Sequence, residues 1–139
     1  MKKHLKVIVV SMMIFSTVAL SFAQGSSDKL GDQSKLIKTI NKPLTFVFIP
    51  KVIHPWYDVV REGALAAAEE FKKMGITVNI KFDAPTNADI SEQMKKIEAN
   101  IGARPDGLAI AALDPATNTQ LINDAIKAKL NVITFDTDA

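Results

Sequence analysis

The sequence predicts an α/β fold: a parallel, doubly wound sheet that reads β-α-β-α-β-α-β. Three observations carry this. Four apolar runs lack in–out alternation, namely LTFVFIP from Leu44, ITVNIKF from Ile76, DGLAIAAL from Asp106 and NVITFD from Asn131. Unbroken apolar runs mark strands buried on both faces. Their starts lie about 32, 30 and 25 residues apart, room each time for one helix and two short loops. Finally, every gap carries a helical repeat. Strands that alternate with helices pair in parallel through right-handed crossovers, with helices on both faces of the sheet.

In the first gap Val60, Gly63, Ala64, Ala67, Phe71 and Met74 share one helical face, and Gly63 is expected to let the axis approach the sheet closely. Lys72 and Lys73 stand at the negative end of the helix dipole, and Gly75 terminates the helix. In the second gap Ile90, Met94, Ile97 and Ile101 recur at helical spacing. Asp89 and Glu92 are spaced as a capping box, and Gly102 is expected to close the helix. The third helix opens at Asp114-Pro115, an N-cap followed by proline at the first helical position, and buries Leu121, Ile122 and Ala125. The expected strand order places the first strand between the second and third. Ligands bind where the carboxyl ends of such strands diverge, so function is expected in the loops at residues 50–57, 113–115 and 136–139.

The start of the chain is a different object. Lys2, Lys3 and Lys6 precede the uncharged run VIVVSMMIFSTVAL, and Ser21-Phe22-Ala23 forms a small-x-small cleavage pattern. The run is short for a membrane span, which needs roughly 20 residues, so residues 1–23 read as a cleavable signal peptide with no stable membrane insertion once it is removed. Residues 24–43 are polar and Gly/Ser-rich at first and read as a tether, with a short helical piece at 33–40. The whole chain has 139 residues, 17 basic and 15 acidic. Losing the three signal lysines leaves 14 basic groups and a net charge of −1, which gives no footing for nucleic-acid binding. The absence of cysteine excludes a disulfide framework, a thiolate metal site and a cysteine nucleophile.

The loops narrow the chemistry. No glycine stands between Leu44 and Arg61, and no Walker-type phosphate loop occurs. A nucleotide or dinucleotide cofactor is therefore disfavoured, and no other cofactor is implied. The first loop, PKVIHPWYD, instead holds the chain's only tryptophan and only tyrosine, Trp56 and Tyr57. A flat ring at a crevice mouth can stack on the C–H face of a sugar while polar neighbours take its hydroxyls. The alternative is that both rings pack on the first helical turn. Lys51 is either a solvated lysine or a donor to a ligand oxygen. His54 is the single histidine outside the signal, too few for a zinc site. At the end of the fourth strand, Asp136 can grip vicinal hydroxyls with charge assistance. Asp138 is not assigned a contact, Asp114 reads as a cap, and Asp83 as structural. No nucleophile elbow or metalloprotease motif is present.

These residues resemble the N-terminal part of the type I periplasmic sugar-binding proteins, the ribose-, rhamnose- and autoinducer-2-binding components of bacterial ABC importers. The resemblance rests on TFVFIPKVIHPWYDVVREGALAAAEEF, on PDGLAIAALDPATNTQLINDAIKAKLNVITFDTDA and on the signal peptide. It implies a periplasmic protein, not an enzyme, that captures a monosaccharide or autoinducer-2-like ligand for an ABC permease and in some cases a chemoreceptor. It also implies that Trp56 and Tyr57, standing where relatives carry two phenylalanines, sandwich the sugar ring. His54 replaces the family's asparagine. Lys51, within IPK, and Asp136, within FDTDA, resemble the ligand contacts of the rhamnose/autoinducer-2 branch, whereas Thr137 departs from the arginine frequent in the ribose branch.

Members of that family have two lobes that close on the ligand. Residues 44–139 are expected to be a partial N-terminal lobe of a periplasmic binding protein-like fold, truncated and not functional alone. The fourth strand would then present an open apolar edge prone to aggregation. A secreted carbohydrate-active α/β enzyme is the alternative. The effector domain of a LacI-type repressor shares the lobe, but the export signal and the lack of a basic recognition helix speak against it.

Overall fold

The computed structural model describes residues 40–139; the signal-peptide expectation and most of the tether lie outside the described residues. The elements are β1 (Leu44–Ile49), α1 (Pro55–Lys73), β2 (Val78–Phe82), α2 (Ile90–Ala103), β3 (Gly107–Ile110), α3 (Pro115–Lys127) and β4 (Val132–Thr134). All strand pairs are parallel, in the order β2-β1-β3-β4. The first strand therefore does lie between the second and third, and the switch point falls between β1 and β3.

Side chains alternate across β1. Val47 and Ile49 join Leu108 and Ile110 of β3, Ile97 of α2, and Leu121, Ile122 and Ala125 of α3 in one buried core, so α2 and α3 cover one face. Phe46 and Phe48 point to the opposite face. There Phe48 stacks on Phe82 of β2, centroids 4.9 Å apart, and meets Phe135 edge-on at 5.9 Å. Tyr57 of α1 touches the same Phe135, which places α1 on this second face. Beyond α1 the face is open: Ile133 is 62% exposed beside a hollow of about 110 Å³ formed with Phe46, Phe48 and Ala109. Gly107 leaves room there for the Phe46 ring, which a Cβ at this position, 2.7 Å away, would displace.

The caps account for the element boundaries. His54 caps α1, its Nδ1 accepting from Trp56 N at 3.1 Å, with Pro55 following. At the other end Gly75, φ 77°, donates to Lys72 O and Ile76 donates to Phe71 O, the paired bonds of a Schellman motif. The same pair closes α3 through Lys129, φ 64°, and Leu130. Asp89 accepts from Glu92 N at 2.7 Å, but Glu92 turns its own carboxylate to Thr86 N, so only half of the expected capping box forms. Asp114 accepts from Thr117 N at 2.8 Å, as expected of a cap.

Three details differ from expectation. Gly63 and Ala67 face solvent, and nothing stands within 4 Å of a Cβ at Gly63; the inward stripe runs through Tyr57, Val60, Ala64, Ala68 and Phe71 instead. α2 passes through Gly102 and stops at Arg104, φ 51°, because Pro105 follows and the residue before a proline leaves the helical region. β3 ends at Ile110, short of the apolar run, since its last rung, Ala111 N to Ile49 O, meets the end of β1 at Pro50. No described helix is long and apolar enough to cross a membrane.

Candidate functional site

Two of the three loops expected to carry function, 50–57 and 136–139, meet at the carboxyl end of the sheet; in the third, Asp114 caps α3 and Leu113 N donates to Gln93. β4 is tied to β3 by Phe135 N to Ile110 O, 3.1 Å, and the chain then reverses at Asp136. Thr137 N reaches back to Phe135 O at 2.6 Å across a residue with φ 61°. This is a γ-turn of the rare positive-φ kind, strained for a residue with a Cβ. The turn aims the Asp136 carboxylate at the β1–α1 loop. Its Oδ2 accepts from Tyr57 Oη at 2.9 Å and pairs with Lys51 Nζ at 3.0 Å. Lys51 Nζ also donates to Thr137 Oγ1. The ion pair is partly open to solvent, with side chains 26% and 30% exposed.

The electrostatics follow from this geometry. The Lys51 ammonium and then the Tyr57 hydroxyl hold the Asp136 carboxyl below the usual carboxylate range. Burial, reinforced by the hydrogen bond to Asp136 and its negative charge, pushes the Tyr57 phenol up to about 12. At neutral pH the cluster is thus a carboxylate, an ammonium and a neutral phenol. With Oδ2 occupied twice, Oδ1 is the oxygen left to accept from an incoming hydroxyl.

Trp56 stands next to Tyr57 and is half exposed. The two rings meet edge-on, centroids 5.0 Å apart at 89°. A sugar held between two parallel rings needs about 7 Å, twice a carbon contact distance. The sandwich implied by the family resemblance is therefore corrected: Tyr57 is buried as a hydroxyl donor, and Trp56 offers its face alone. His54 is spent on capping α1 and lines, with Tyr57, Arg61 and Asp83, a separate groove of about 300 Å³ on the β2 side of the loop. Lys51, Trp56 and Asp136 do not line that groove. Asp83 serves structure: Asn100 Nδ2 at 2.8 Å and Lys96 Nζ at 3.0 Å bind it to α2. Burial works against its charge, but these two donors and the lysine charges outweigh it and hold the carboxyl below its ordinary range. Asp138 accepts from Thr134 Oγ1.

The structure thus brings together Lys51, Tyr57 and Asp136, sets Trp56 beside them, and leaves His54 to one side. Thr137 and Phe135 complete the cluster. Two buried amides behind the rim, Gln93 and Asn118, escape a reading based on loops. Their signal was their place on the apolar stripes of α2 and α3, among Met94 and Ile97 and among Leu121 and Ile122.

A family model described as a periplasmic binding protein domain matches residues 46–139. The chain belongs to the periplasmic binding protein family. Its parallel sheet is superimposable on solved sugar-transport proteins. An ABC transporter solute binding protein from Burkholderia graminis, in complex with D-arabinose, is 29% identical with a TM-score of 0.60, over 68% of this chain and 31% of that one. One from Agrobacterium vitis, bound with α-D-tagatopyranose, is 26% identical with a TM-score of 0.63, over 68% and 30%. A sugar ABC transporter protein from Actinomyces odontolyticus is 35% identical with a TM-score of 0.59, over 69% and 30%. The chain therefore spans about 30% of the length of these structures. A comparison with curated proteins gives no match.

Proposed function

We propose that this periplasmic binding protein chain supplies one side of a binding site for a neutral monosaccharide or an autoinducer-2-like polyol, delivered to an ABC permease and in some settings to a chemoreceptor. The observation that carries this reading is the preassembled Lys51–Asp136–Tyr57 cluster at the switch point, with the Trp56 face beside it. Asp136 Oδ1 accepts from a hydroxyl, Lys51 donates to a ring or hydroxyl oxygen, and the indole stacks on the apolar face of the sugar. The ion pair leaves the cluster without net charge, which suits a neutral ligand. His54 contributes through its free ring edge only to a ligand large enough to reach the neighbouring groove. Residues 1–23 act as the export signal and place the protein in the periplasm. Residues 44–139 form the first part of a longer, two-lobed protein, in line with the roughly threefold greater length of the structures it matches. Nothing in the comparisons favours the alternative of a carbohydrate-active enzyme.

The test is a fluorescence titration of Trp56, the single indole, with D-arabinose, D-tagatose, L-rhamnose and autoinducer-2. It is run on the chain and on any in-frame product that genomic sequence past codon 139 encodes. Saturable quenching that is lost in Asp136→Asn supports the assignment. Saturation with none of these ligands in the longer product, or with no effect of Asp136→Asn, removes it.

A further inference from the structure

The ladder between β1 and β3 ends where Ala111 N donates to Ile49 O at 3.0 Å. The next residue of β1 is Pro50, which has no N–H to continue it, and from there the two strands part. One side chain spans the gap. Gln93, at the end of the first turn of α2 and 0% exposed, donates from Nε2 to Pro50 O at 3.1 Å and to Ala111 O at 2.8 Å. Its Oε1 accepts from Leu113 N at 3.0 Å and from Asn118 Nδ2 at 2.6 Å. Both N–H groups and both lone pairs are used, so the amide is saturated. Two backbone carbonyls on one side and a backbone N–H on the other admit a single orientation.

We infer that Gln93 is a positioning residue for the ligand rim: it fixes how far the ends of β1 and β3 separate, and through Pro50 where Lys51 stands opposite Asp136. The inference rests on the carbohydrate reading of that rim. Lys51 follows Pro50 directly, while Asp136 is anchored through β4 to Ile110 of β3. The 3.0 Å ion pair is therefore made across the gap that opens where the backbone ladder between β1 and β3 ends. Asn118, itself fully buried, turns its Nδ2 to Gln93, and its Oδ1 has no protein partner among the described residues.

Gln93→Met keeps the volume and removes all four bonds. Tyr57 is the only tyrosine, so phenolate absorbance reports its contact with Asp136 without needing a ligand. The expected result is an unchanged far-ultraviolet circular dichroism spectrum and a Tyr57 midpoint lowered by about one unit, the equivalent of loosening a hydrogen bond to a charged group. D-arabinose affinity in the binding-competent protein falls by about tenfold or more. A lower melting temperature with an unmoved Tyr57 midpoint means that Gln93 merely packs, and overturns the inference. Should Gln93→Met not fold, Asn118→Ala removes one of the four bonds; a smaller shift in the same direction supports the inference and an unmoved midpoint overturns it. If the unmutated protein binds no sugar, the carbohydrate reading falls while the Tyr57 titration still decides the positioning role.

Discussion

Tyr57 makes the stability of this chain depend on alkaline pH. In the unfolded chain the phenol titrates near its ordinary 10.0; in the folded chain burial and Asp136 move it to about 12. Between those values the native state binds more protons than the unfolded state, so stability falls as pH rises. The contribution is complete below pH 10, declines through the window, and is gone above about 12. Two pKa units correspond to about 2–3 kcal/mol, a large share of the roughly 5–15 kcal/mol that holds a small domain together. Lysines also titrate in this range, so the measurement is a difference. Denaturant midpoints of the unmutated chain and of Tyr57→Phe are followed across the window, with phenolate absorbance of the native protein recorded alongside. At neutral pH, Tyr57→Phe loses about 1 kcal/mol, since the half-open carboxylate can recruit water in place of the hydroxyl. Its stability should then decline less steeply, so that the two curves cross at about pH 11 and the unmutated chain is the less stable of the two by pH 12. A phenolate midpoint at the ordinary value in the folded chain, or parallel curves for the two proteins, would refute the argument.

Three further outcomes are expected. Asp83→Asn should cost about 1 kcal/mol at neutral pH. Because the folded Asp83 carboxyl is held below 3.8, that contribution is present above this value and lost as pH falls below it; acid titration of both proteins by circular dichroism checks this. Trp56→Ala should leave the unfolding midpoint within about 0.5 kcal/mol, as for other exposed positions, yet abolish D-arabinose binding by the longer product as read by calorimetry. Ile133→Lys, on the open face of edge strand β4, should raise the concentration at which the chain stays monomeric in light scattering. A cooperative, monodisperse melt of the unmutated chain would show that the open face is no liability.

The strand order was legible because four apolar runs at even spacing leave few ways to connect parallel strands. The caps His54, Asp89 and Asp114 obey local chemistry, and two of them, Asp89 and Asp114, are readable from residue type. Gly63 needed tertiary context, since it lies on a face that the sheet does not reach; the end of α2 did not, because Pro105, a local signal, outranks Gly102. At the site, Lys51, Tyr57 and Asp136 could be nominated from the strand ends that carry them. That Tyr57 turns inward to donate while Trp56 faces out depends on Phe135, a neighbour 78 positions further along the chain that no local pattern announces. Gln93, which no loop or motif marks in the sequence, gains its meaning only where Pro50 and Ala111 diverge around it.

The left-handed backbone of Asp136 dictates how the site can be dissected. Asparagine, like aspartate, tolerates positive φ better than most side chains, so Asp136→Asn removes the negative charge and keeps the turn. An alanine there would disturb conformation and charge at once, and a glycine would relax the chain while deleting the acceptor. Only the amide variant separates what the carboxylate does from what the bend does, and alanine scanning along this segment would blur the two.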